Sequence, residues 1–237
     1  MEGGWLHILW ILAAAGLGYS VAWYFAGVRG MRRRSYLVPY VALSSALFGG
    51  YLLWSEVRID ESLMHNLALG LVAAALIGAF LVFSVMRQPA SPRLRGMRLV
   101  ADMVWSGVIY GVVDSALLSV LPVLAIRDFF GELGWGSSIG SDLLVGAMAL
   151  ASSALVTAVY HLGYPEFRNR SLILPVFALV IGSAGYLLTG NPIAVVGSHA
   201  AMHVAAVLRG PEGTIQLPPH DRARGGPPRR GSHDTDG

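Results

Sequence analysis

Long apolar runs alternate with short polar segments along this chain. Seven runs stand out, at roughly 5–28, 36–54, 66–86, 99–126, 140–164, 172–189 and 192–208. Each lies near the ~17–25 residues that a helix needs to cross a bilayer. The pattern predicts an all-α polytopic membrane bundle of about seven transmembrane helices, occupying residues 1–209. The last two runs meet at a tight junction, Thr189-Gly190-Asn191-Pro192. Residues 210–237 hold five prolines, several glycines and mixed charges, which predicts a disordered cytoplasmic tail. No internal repeat is visible.

The polar segments give the runs a direction. All 17 basic residues are Arg, and fifteen of them fall in four clusters. These are Arg29, Arg32, Arg33 and Arg34; Arg87, Arg93, Arg95 and Arg98; Arg168 and Arg170; and Arg209, Arg222, Arg224, Arg229 and Arg230. Only Arg58 and Arg127 lie elsewhere. The clusters alternate with Arg-poor loops, as the positive-inside rule requires, and this predicts the N-terminus outside and the C-terminus inside. An odd number of runs agrees with that orientation; merging the last two would break the agreement. The first run lacks a basic n-region and its Arg cluster follows it, so it is expected to remain as an anchor rather than be cleaved. Trp5, Trp10, Trp23, Trp54 and Trp135 fall near the expected interfaces. Small residues crowd the fifth run (Gly146, Ala147, Ala149, Ala151, Ser152, Ser153, Ala154), which permits close helix packing there.

Composition supports this picture. Hydrophobic residues make up 54% of the 237 positions and charged residues 13%, against roughly a quarter charged in soluble domains. So few charges cannot cover a water-facing surface, and the lipid bilayer of a cell membrane, read as a bacterial inner membrane, is the expected partner. The formal charge is +3 and the pI about 9.4. Topology accounts for that excess, so no nucleic-acid partner is expected. With no cysteine, thiolate metal sites, disulfides and a cysteine nucleophile are excluded.

Ionisable groups inside an apolar run are costly and mark functional sites. Five stand out: Asp102 and Asp114 in the fourth run, His161 ending the fifth, and His199 and His203 in the seventh. Asp142 sits at an outer edge and reads as interfacial. His7, His65, His220 and His233 lie at run ends or in the tail and read as ordinary solvated histidines. His199 and His203 are four apart, so their side chains share one helix face. Two imidazoles at that spacing form half of a familiar zinc site. The HExxH motif would place a Glu after the first His, but Ala200 stands there, so a base must come from another helix. At 1.5 Å per residue, His161 lies roughly 6 Å from Pro165, His203 roughly 9 Å and His199 roughly 15 Å from Arg209, and Asp114 roughly 24 Å from Arg98. Asp114 is therefore deepest, and Asp102 is the rival carboxylate for the histidines.

Three segments in order resemble motifs of one membrane family. Tyr110-Gly111-Val112-Val113-Asp114-Ser115-Ala116-Leu117-Leu118-Ser119 is similar to EExxxR, with Asp114, Ser115 and Ser119 in the Glu, Glu and Arg places. Thr157-Ala158-Val159-Tyr160-His161 is similar to FxxxH, with Thr157 in place of Phe. His199-Ala200-Ala201-Met202-His203 is similar to HxxxN, with His203 in place of Asn. Together, over residues 105–208, they resemble the CPBP family of type II CAAX prenyl endopeptidases and bacteriocin-processing or self-immunity relatives. The resemblance implies a metal-dependent membrane endopeptidase acting on a membrane-associated peptide or protein. Asp114 would activate water, His161 and His199 would hold a divalent metal such as zinc or form the oxyanion site, and His203 would take the Asn role. By ligand type, Asp114, His161, His199 and His203 make a plausible zinc set. The loss of the second Glu and the Arg favours an alternative, a non-catalytic scaffold or immunity-type protein on the same bundle. Asp and His inside spans also suit a transporter or proton relay, and two opposed histidines suit haem.

Overall fold

In the computed structural model, residues 4–135 and 138–210 are described. Those residues form eight helices and no strand: α1 Gly4–Val28, α2 Arg33–Ser55, α3 Ile59–Met64, α4 Leu67–Met86, α5 Met97–Glu132, α6 Ile139–Leu162, α7 Arg170–Thr189 and α8 Ile193–Arg209. Six of them, all but α3 and α8, are long and apolar enough to cross a membrane. α8 is apolar but shorter, at 17 residues. The all-α expectation holds, with α3 as an unforeseen short helix. The expected tail lies, from residue 211 on, outside the described residues.

The large apolar side chains that no helix covers point outward. Leu53, Leu76, Phe83, Ile139, Leu143 and Leu188 are among many exposed in this way. A surface so apolar is ill suited to water and suits contact with lipid. The helices run up and down, so their ends gather at two poles. At one pole His7 of α1 meets Tyr51 of α2 and Glu132 of α5, and Asn191 before α8 donates to Leu63 and His65 beside α3. At the other, Arg34 of α2 meets Asp102 of α5, and the backbone of Ser91 donates to Arg209.

α7 and α8 stay separate for local reasons. Gly190 has φ +68°, a left-handed conformation suited to glycine, and closes α7 with a backbone bond to Tyr186. Asn191 then turns its Oδ1 onto the Ile193 N–H at 2.8 Å, which caps the start of α8.

α5 runs through the centre, with residues 117–126 all buried. Its close partner is α8. A Cβ on Gly111 would stand 2.7 Å from Cα of Ala200, and one on Gly107 would stand 2.8 Å from a Val204 methyl. Small residues four apart on α5 let the two backbones approach, as membrane helices do. The close approach expected from the fifth run is weaker: Ala149 and Ser153 are buried, but a Cβ on Gly146 would meet nothing. Two π-helical stretches, Met103–Ile109 and Ala116–Val120, flank the α-helical turn that carries Asp114. Such stretches shift the facing of side chains and recur at functional sites.

Candidate metal centre

The Gly107–Gly111 contact sets the register of α5 on α8, and Asp114 sits one turn further along α5. Its carboxylate Oδ2 lies 2.8 Å from His199 Nε2 and 3.9 Å from His203 Nε2. The two Nε2 atoms are 3.1 Å apart. All three residues are at most 5% exposed. Tetrahedral zinc with ligands near 2.0–2.1 Å separates them by about 3.3 Å, within the range of these three edges. The helical spacing of His199 and His203 makes this possible, because side chains four apart converge over one turn.

Tyr40 of α2 completes the carboxylate. Its hydroxyl donates to Asp114 Oδ1 at 2.6 Å, which leaves Oδ2 facing the histidines. Tyr40 belongs to a layer of buried phenols: Tyr110 and Tyr36 each lie 3.0 Å from the Tyr160 hydroxyl, and Tyr160 lies 2.7 Å from that of Tyr164. Tyr36 also pairs with Tyr164. The Tyr110 ring meets His203 edge-on with centroids 4.7 Å apart.

Protons alone do not satisfy the three groups. One hydrogen on His199 Nε2 can serve Asp114, but His203 Nε2 then faces that same nitrogen. In either tautomer the Nδ1 atoms of both histidines are buried without a hydrogen-bond partner among the described residues. With both Nε2 atoms unprotonated, lone pairs on two imidazoles and a carboxylate converge on one point, an arrangement that suits a cation. The usual outer partner of a ligating histidine, a carboxylate or carbonyl on Nδ1, is lacking for both rings.

His161 is placed differently from its expected role. It lines the same cavity, of about 230 Å³, with Asp114, His199 and His203. It stands outside the trio whose ligand atoms lie within 4.8 Å of one another. Its Nδ1–H donates to the Thr157 carbonyl at 2.8 Å, so the lone pair of the neutral ring is on Nε2. Thr157, read from the sequence as standing for Phe, is thus the residue that orients this ring. Most of the cavity wall is apolar, including Phe80 and Leu81 of α4 and Phe177 and Leu179 of α7.

The rival carboxylate is spoken for. Asp102 accepts from Arg34 at 2.9 and 3.1 Å and from Ser106 at 2.8 Å, away from the histidines. His7 is not the solvated histidine expected: it is 4% exposed and bonded to Tyr51 and Glu132. Missed altogether were Tyr40 and the phenol layer. The signal was present as polar pairs four apart, Tyr36 with Tyr40, Tyr110 with Asp114 and Tyr160 with Tyr164, matching His199 with His203.

No family model, curated protein or solved structure matches this chain. The centre is therefore read on its own chemistry: a buried Asp/His/His group that can hold a metal ion, inside a helical protein of membrane character.

Proposed function

We propose that this protein is a metal-dependent endopeptidase of the membrane, a divergent relative of the CPBP enzymes, cutting a peptide bond in or near the bilayer. The observation that carries this reading is the convergence of Asp114 Oδ2 with both Nε2 atoms of His199 and His203 on a cavity wall. Two histidines and one carboxylate, with room for water, form the donor set of hydrolytic zinc sites. A divalent ion bound there would supply Lewis acidity, polarising a carbonyl and lowering the pKa of water. Asp114 then serves as a ligand, with Tyr40 holding its second oxygen. His161, anchored through Nδ1, offers its Nε2 lone pair as the proton acceptor in the same cavity. The apolar walls favour a hydrophobic stretch of substrate over a polar one. All the Arg-bearing helix ends but those of Arg58 and Arg127 fit one pole, which supports an N-terminus outside and a C-terminus inside a bacterial inner membrane, with α8 as the seventh span.

The test is metal analysis of the purified chain followed by a cleavage assay on membrane-anchored reporter peptides. One equivalent of metal is expected, lost on His203→Ala together with cleavage. A chain that stays empty in zinc, cobalt(II) and iron(II) sinks the metal reading. A chain that binds metal yet spares every peptide sinks the peptidase reading. The buried succession Tyr40, Asp114, His199 and His203 favours a second reading, a proton relay. That reading predicts proton flux through proteoliposomes, abolished by Asp114→Asn, from a chain without metal.

A further inference from the structure

The pole where α2 and α5 begin and α8 ends holds another recess, of about 550 Å³. Its walls include Arg32, Arg33 and Arg34 at the start of α2, Arg93 from the α4–α5 connection, and Asp102 and Ser106 of α5. Four arginines and one aspartate thus line a single recess. That carboxylate is already taken in a two-point contact by Arg34 and by the Ser106 hydroxyl.

Topology explains why arginines occupy this pole, but it does not bring two separate chain segments into one recess. Like charges gathered in a partly enclosed space repel one another, and the repulsion is strongest where water is scarce. Here the Arg93 side chain and the Arg34 backbone are tied in place. Arg93 donates to the Leu208 carbonyl at 2.8 Å, and Trp105 donates to the Arg34 carbonyl at 3.3 Å. Arg33 is 9% exposed and lies over the Tyr110 ring at 5.2 Å. An anion in the recess removes the repulsion. Guanidinium forks match the paired oxygens of a phosphate better than any other common anion at a membrane surface.

We propose that this recess binds a phosphate group, carried by an anionic lipid headgroup or free in the adjoining water. The site is independent of the hydrolase reading. It is nonetheless close to that centre, because Tyr110 has Arg33 on one side and His203 against another.

The test uses the full chain in neutral detergent with three probes: a short-chain phosphatidylglycerol, a short-chain phosphatidylcholine and inorganic phosphate. Arg32→Gln and Arg93→Gln change exposed side chains, and monodispersity checks that each variant is folded. Phosphatidylglycerol is expected to bind saturably, with affinity falling about tenfold in each variant, the effect of losing one charged hydrogen-bond donor. Binding of phosphatidylglycerol alone with that dependence identifies the headgroup as the source. Inorganic phosphate binding with the same dependence identifies free phosphate. Wild type that binds none of the probes overturns the proposal. So does a double variant that binds every probe as well as wild type, and so does phosphatidylcholine binding as tightly as phosphatidylglycerol in both proteins.

Discussion

Two buried clusters in this bundle are built from similar side chains and behave differently. At one pole, His7 lies between Tyr51 and Glu132, at 3.3 and 3.2 Å, and Tyr51 donates its one proton to Asp128 at 2.7 Å. With that proton committed, the Tyr51 hydroxyl and the Glu132 carboxylate are both open to accept from the His7 ring. In the bundle interior, His199 and His203 turn two nitrogens onto each other and onto Asp114. The first cluster is complete as a tie between α1, α2 and α5. The second leaves a place that can hold a cation. Burial and ionisable groups are common to both; what separates a site from a tie is whether the ring nitrogens face oxygen acceptors on other helices, which balances the first cluster, or one another.

The largest effect should come from breaking the unbalanced cluster. Asp114→Asn replaces an anionic ligand by a neutral amide, and bound metal should fall to background in elemental analysis. Glu132→Gln, the matching change at the balanced cluster, should leave metal content at the wild-type level. Equal metal in Asp114→Asn and wild type would show that the convergence serves some other purpose. Cobalt(II) gives a sharper reading, since a tetrahedral site of two imidazoles and a carboxylate has intense visible bands that a loosely bound ion lacks.

Next in size is the contact that creates the convergence. Gly111→Ala forces a methyl against the Ala200 backbone, where 2.7 Å is available. Overpacking of this kind costs about 1–3 kcal/mol, and here it also pushes Asp114 away from His199. Unfolding in denaturing detergent should start earlier and metal affinity should drop together. Gly146→Ala meets open space and should do neither. If both variants behave alike, α5 and α8 are not held by the glycine contact.

Tyr40→Phe is a finer probe. It removes the 2.6 Å bond to Asp114 Oδ1 and leaves the ligand atoms in place. Outer partners of metal ligands are worth about 10–100-fold in affinity, so competition with a coloured chelator should show a loss in that range with stoichiometry unchanged. Unaltered affinity would make Tyr40 a packing residue only.

These effects also explain which features the sequence announced. The helices were legible because a bilayer imposes both length and apolarity, and no other architecture suits runs such as 66–86. Asp114, His199 and His203 were legible because charge and imidazole are expensive in lipid. The choice between Asp102 and Asp114 was not. Depth arithmetic assumed a uniform helix entering near Arg98, whereas α5 extends from Met97 to Glu132 with two π-helical stretches. Tyr40 escaped notice because tyrosine is at home at interfaces, so one phenol in an apolar run carries no surprise. Its meaning lay in pairing with Tyr36 across one turn. His7 was misread for the opposite reason: its position near a run end suggested water, while its partners Tyr51 and Glu132 lie far along the chain.

The smallest expected effect tests the balanced cluster on its own terms. Tyr51→Phe removes the hydroxyl that bridges His7 and Asp128. Buried hydrogen bonds in membrane proteins average about 0.6 kcal/mol and reach about 1.7, so stability should fall within that interval. His7 keeps Glu132 at 3.2 Å, and the half-exposed Glu132 stays within reach of water. A His7→Ala, Tyr51→Phe double variant should then lose less than the sum of the two single losses, because each removes the same bond. Strict additivity would mean that the pair does not act as a unit, and the distinction between tie and site would then rest on the metal data alone.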